Sequence, residues 1–129
     1  MPRTCRTAFL TATAVFEAAT GLFLLAAPAT FLELLLGPDP AVPVPPPAGR
    51  AVGAALLALG VVSWLGRRAG PEPAGRALAA GLFAYDGVAA AGLAFVALGP
   101  GSAGVLLWPA VGAHVALAVW YVVCLRDGS

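Results

Sequence analysis

The chain is 129 residues long, 60% hydrophobic and only 10% charged, with a mean hydropathy of +0.92 and a formal net charge of +1. An ordinary soluble domain is about 25% charged, and six acids with seven bases cannot cover the wetted surface such a domain needs. The near-neutral balance, with no basic patch interleaved with aromatics, also excludes nucleic acid as a partner, so the expected solvent is a lipid bilayer.

Crossing a bilayer takes roughly 20 apolar residues per helix, and four stretches meet that need, at about 8–27, 50–66, 77–98 and 104–125. The first follows Arg3 and Arg6 and reaches small residues at AAPA, 26–29, as a cleaved signal peptide would. Its length, the interruption by Glu17 and the proline at the would-be cleavage site favour a retained span. Beyond Pro28, ATFLELLLG (29–37) either extends the first helix past a kink or lies along the outer interface.

GPDPAVPVPPPAG (37–49) reads as an extended outer linker, because proline lacks the amide hydrogen and clashes with the preceding helical turn. The second span is the shortest, and Arg50 either snorkels into the headgroups at its outer end or reaches inward towards Glu17 or Glu33. RRAGPEPAGR (67–76) carries the next turn and GPGS (99–102) the last. Pro109 is expected to kink the fourth span and free the carbonyl of Val105, unless it simply occupies a first turn.

Connections this short force neighbouring spans to be antiparallel, which predicts an all-α protein, a four-helix antiparallel membrane bundle. Arg3, Arg6, Arg67, Arg68, Arg76 and Arg126 fall on one side of it and only Arg50 on the other, placing both termini in the cytoplasm. Trp64, Trp120 and Tyr121 then mark the inner interface and Trp108 the outer one. Cys5 and Cys124, at opposite ends of the sequence and without a metal-ligand cluster, read as free thiols.

Three ionisable residues interrupt the spans at one depth. Glu17 is ten residues in from Thr7, Asp86 ten in from Arg76 and His114 twelve back from Arg126. A rise of about 1.5 Å per residue puts each about 15–18 Å from the inner end, near the midplane of a core roughly 30 Å thick. An unpaired charge there costs about 2.5 kcal/mol or more, so the three are expected to face one another. Thr13, Glu17, Thr20 and Gly21 share one face of the first span, and Ala110, His114, Ala118 and Tyr121 one face of the fourth. Asp86 has Tyr85 beside it and Ala89 and Ala90 one turn on.

Two readings of Glu17, Asp86 and His114 stand side by side. In one they are a hydrogen-bonded cluster with shared protons that fixes helix register. In the other they are candidate catalytic or metal-binding residues that hold a divalent ion, relay protons or act as acid and base on a lipid-soluble substrate. Arg50, Tyr85 and Trp108 are the accompanying candidates for contact with a cofactor, whose identity the sequence does not name. One His makes a two-His haem dependent on a dimer, and the absence of paired Glu-x-x-His motifs counts against a di-iron bundle.

FEAATGLFLLAAPATFLELLLG (16–37), GRAVGAALLALGVVSWLGRR (49–68), the Tyr85–Asp86 pair and LLWPAVGAHVALAVWY (106–121) together resemble small four-span proteins of the DoxX-like kind. The resemblance covers most of the chain and implies a multi-pass protein of the bacterial inner membrane. Some proteins of that shape are membrane subunits of quinone-linked oxidoreductases. The expected function is therefore a non-catalytic accessory or assembly component in contact with lipid, in a larger complex or a homo-oligomer. Small-residue faces such as Gly81, Tyr85, Val88 and Gly92 would pack against the partner. The alternative is a membrane enzyme or proton-coupled carrier acting on an apolar, quinone-like molecule.

Overall fold

The structure, a computed structural model, describes every residue except 42, 69–72, 102 and 127–129. The described residues form five helices and no strand: α1 (Arg3–Ala26), α2 (Pro28–Leu36), α3 (Pro46–Gly66), α4 (Pro73–Leu98) and α5 (Leu107–Arg126). All but α2 are long and apolar enough to cross a membrane. The centre of the expected 67–76 turn, residues 69–72, lies outside the described residues.

The break between α1 and α2 follows from Pro28. Its ring disfavours helical geometry at the preceding residue, and Ala27 sits at φ −139° and ψ 64°. Ala27 still donates its N–H to the Phe23 carbonyl at 2.8 Å, closing α1, and Pro28 then opens α2 where a missing N–H costs nothing. Residues 29–36 are therefore a separate short helix. It ends at Gly37, whose φ of 86° suits a residue without a Cβ.

The same rule corrects the linker reading of 37–49. Proline stops a helix from within but is compatible with its first turn, so α3 begins at Pro46 and Pro47 and includes Gly49 and Arg50. Likewise Pro109 lies in the first turn of α5, and Val105 precedes that helix. The expected mid-helix kink has no place there.

α1 and α3 pack closely through glycine. A Cβ on Gly21 would stand 2.6 Å from both Gly53 O and Leu57 N, and one on Gly60 would stand 2.9 Å from Ala18 N. Such contacts let two backbones meet where no larger side chain fits. α4 packs mainly on α5. α3 and α4 touch where a Cβ on Gly66 would run into Leu78, and a cavity separates them further along. Along α4, a Cβ at Gly81, Gly87 or Gly92 would meet nothing within 4 Å and Val88 is exposed, while Gly92 borders that cavity and Tyr85 turns toward Glu17.

The terminal ends of α1 and α5 are joined by a disulfide between Cys5 and Cys124, with Cα atoms 5.8 Å apart, correcting the free-thiol reading. A separation of 119 residues in sequence is no barrier when the first and last helices stand side by side with their chain termini at one end. Thr7 Oγ1 donates to the Arg67 carbonyl at this same end. Next to it comes an apolar layer of Phe9, Leu10, Ala79, Leu82 and Leu117. The helical register places Glu17, Asp86 and His114 beyond that layer, and the cavity beyond them.

Candidate functional site

α1, α4 and α5 each contribute one buried ionisable side chain: Glu17, Asp86 and His114 are 1%, 0% and 6% exposed. They converge as the depth count predicts. One ligand-type atom from each lies within 4.8 Å of the others. His114 Nδ1 faces Asp86 Oδ1 at 2.9 Å, and with Asp86 ionised the imidazole N–H donates to it. Tyr85 donates its hydroxyl to Glu17 Oε2 at 3.1 Å. Thus the adjacent residues Tyr85 and Asp86 hold two different elements, α1 and α5.

Aromatic rings fix the imidazole. Phe16 and Tyr85 meet it edge-on at centroid distances of 5.4 and 5.6 Å. With Nδ1 committed to Asp86, the nitrogen left for another partner is Nε2. Three further atoms are buried without a hydrogen-bond partner: Glu17 Oε1, Asp86 Oδ2 and the Thr13 hydroxyl, one turn before Glu17 on the same helix face.

The cluster forms the polar floor of a cavity of about 540 Å³. Glu17, Thr20, Tyr85 and His114 line that floor, whereas Asp86 stands behind His114 and does not reach the space. The walls are apolar, with Leu24, Leu56, Leu93 and Leu106 among them. Val52 of α3 and Val96 of α4, both about half exposed, flank the cavity on its outer side. Phe31 and Leu35 of α2 close its far end.

α2 is held in that position by main-chain bonds. Its Leu34 and Leu35 carbonyls, which have no partner within the last turn of a helix, accept from Leu106 N–H at 2.9 Å and Gly104 N–H at 3.2 Å. A Cβ on Gly104 would collide with Leu34 O, so this approach requires glycine.

The remaining sequence candidates lie elsewhere. Arg50 is exposed near the start of α3, and Glu17 bonds to Tyr85 in its place. Trp108 is 53% exposed and not part of the cavity wall. What sequence reading missed is the cavity itself. Its wall residues look like ordinary span residues, and the one usable signal was the small Thr20, Ala89 and Ala110 around the three ionisable groups.

The chain matches no protein-family model, no curated protein and no solved structure. The site is accordingly read from its chemistry alone.

Proposed function

We propose that this is a multi-pass membrane protein of four spanning helices that binds a lipid-soluble molecule carrying a polar, ring-like head, such as a quinone, quinol or phenol. The observation that carries this reading is the convergence of Glu17, Tyr85 and His114 on the floor of an apolar-walled cavity beside the exposed Val52 and Val96. Ligand pockets of this kind pair mostly apolar walls with a few placed polar groups. Apolar walls accept the tail, and the floor bonds the head.

Asp86 orients His114 so that Nε2 accepts a hydrogen bond from a ligand hydroxyl, and Tyr85 and Glu17 supply a donor and an acceptor beside it. An imidazole held this way can take up and return the head-group proton. The layer of Phe9, Leu10, Ala79, Leu82 and Leu117 lies between the cluster and the disulfide end, which favours exchange with the cavity over passage through the protein. The arginine-rich disulfide end is assigned to the cytoplasmic side.

The test is photolabelling in lipid nanodiscs with a lipid-soluble quinol bearing a photoreactive tail. Labels are expected on Val52, Leu56, Leu93 and Val96, competed by unlabelled quinol and lost in Leu93→Trp, which fills the cavity. Labelling spread evenly over the lipid-facing residues and insensitive to competitor would reject the reading.

The accessory-component reading has one observation in its favour, the uncovered α4 positions Gly81 and Val88 outside the cavity. It predicts that Gly81→Leu disrupts co-purification of a partner without affecting quinol labelling.

A further inference from the structure

The buried cluster holds two carboxylates and one imidazole, so with both carboxylates ionised its own groups do not balance its charge. Two carboxylates face one imidazole in a region where helix rise and length place the middle of the hydrocarbon. Even a protonated His114 offsets only one of them. Protons can neutralise carboxylates, but a protonated carboxyl is a donor that needs an acceptor. Glu17 Oε1 and Asp86 Oδ2 are both buried and neither has a hydrogen-bonding partner, so a proton on either would be an orphan in place of an orphan acceptor. A cation satisfies such lone pairs directly.

We propose that Glu17, Asp86 and His114 form a binding site for a first-row divalent cation, with an open coordination position toward the cavity. Three buried ligand atoms within 4.8 Å of one another can surround one ion once the widest pair closes by about 1–2 Å, a side-chain movement. The 2.9 Å between His114 Nδ1 and Asp86 Oδ1 is close to the edge of about 3.0 Å between neighbouring ligands of an octahedral ion held at about 2.1 Å, and would widen to about 3.4 Å around a tetrahedral one. One imidazole nitrogen with two carboxylates suits Zn²⁺ or Mn²⁺ and disfavours Mg²⁺ and Ca²⁺, which prefer oxygen alone.

Three protein ligands leave further coordination for water or a ligand head, the pattern of sites that polarise what they bind. The divalent charge cancels that of the two carboxylates while His114 stays neutral. Tyr85, donating to Glu17 Oε2, takes the outer position that orients a ligating carboxylate. Thr13, whose buried hydroxyl is unpartnered one turn from Glu17, stands on the same face. With Nδ1 on the ion, Nε2 carries the ring proton and donates to a ligand in the cavity instead of accepting from it, so the metal-bound state differs from the hydrogen-bonded one and the inference does not depend on the cavity's ligand being a quinol.

The experiment uses the full chain in detergent with its disulfide intact, stripped with chelator, incubated with ZnCl₂ or MnCl₂ alone and desalted. Elemental analysis is expected to find about one retained ion per chain, with a raised thermal midpoint and no displacement by excess Mg²⁺. Glu17→Gln and Asp86→Asn each lower the apparent affinity at least about tenfold, and Tyr85→Phe, which removes only the orienting hydroxyl, by about 10–100-fold. Size exclusion and the intact disulfide report that each variant is folded.

Absence of retained metal in the folded wild-type chain overturns the proposal. Equal retention in a folded Glu17→Gln, Asp86→Asn double variant overturns it as well, because the ion then lies elsewhere. Quinol photolabelling of the stripped protein is read separately, so loss of the metal site and loss of the lipid-soluble ligand are distinguishable results.

Discussion

Asp86 Oδ1 and His114 Nδ1 stand 2.9 Å apart, joining α4 to α5 at the depth where both helices are otherwise apolar. The pair makes two costly groups tolerable together. Removing one member leaves the other stranded.

His114→Ala is therefore expected to destabilise the protein by about 1–2 kcal/mol, the range for a polar contact between membrane helices. The Asp86→Leu, His114→Leu double variant should lose less, because no buried carboxylate is left alone. Unfolding in detergent of Asp86→Leu, His114→Leu and the double variant gives the coupling. A double variant less stable than His114→Leu would show that the pair does not balance its own burial.

Glycine positions should divide sharply. At Gly21 and Gly53 a Cβ meets backbone or side-chain atoms at 2.6 to 2.9 Å, so Gly21→Ala and Gly53→Ala force α1 and α3 apart and cost about 1–3 kcal/mol. At Gly81 and Gly92 nothing lies within 4 Å, and alanine there should be neutral or stabilise by up to about 1 kcal/mol through helix propensity. Thermal midpoints of the four variants check the contrast.

Gly104→Ala should detach α2 without unfolding the long helices. The new methyl collides with Leu34 O and breaks the approach that lets Gly104 and Leu106 donate to the α2 carbonyls. A reporter cysteine at Leu35, in a chain lacking Cys5 and Cys124, is expected to react faster with a water-soluble maleimide in the Gly104→Ala background than in the parent. An unchanged rate would mean that side-chain packing alone holds α2.

The Cys5–Cys124 bond predicts that the oxidised chain resists thiol alkylation until it is reduced and denatured, since Cys124 is wholly buried. The Cys5→Ala, Cys124→Ala variant should be less stable by about 2–4 kcal/mol. Alkylation with mass readout in intact cells also tests the bond's setting, because a cytoplasmic end is exposed to reductants that usually keep thiols free.

Much of this protein is legible in one dimension. Composition points to a nonaqueous solvent, and four apolar stretches of sufficient length become the four long helices. Because each helical residue adds a fixed rise, counting residues placed Glu17, Asp86 and His114 at one level before any packing was known. The i, i+4 spacing likewise put Thr13, Glu17 and Gly21 on one buried face.

Tertiary structure decided the rest, since lateral packing is not a property of any one segment. Periodicity shows that Gly21 and Gly53 are small, but only the meeting of their two helices shows backbone in contact with backbone. Cys5 and Cys124 become neighbours because α1 and α5 end together, a fact invisible at 119 residues' separation. Tyr85 reads from sequence both as a cofactor-contact candidate and as part of a partner-facing stripe, and only the rotation of α4 that buries Asp86 carries its hydroxyl to Glu17. The cavity is the clearest case: an apolar wall and an apolar lipid-facing surface have the same composition, and only the separation of α3 from α4 creates the space between them.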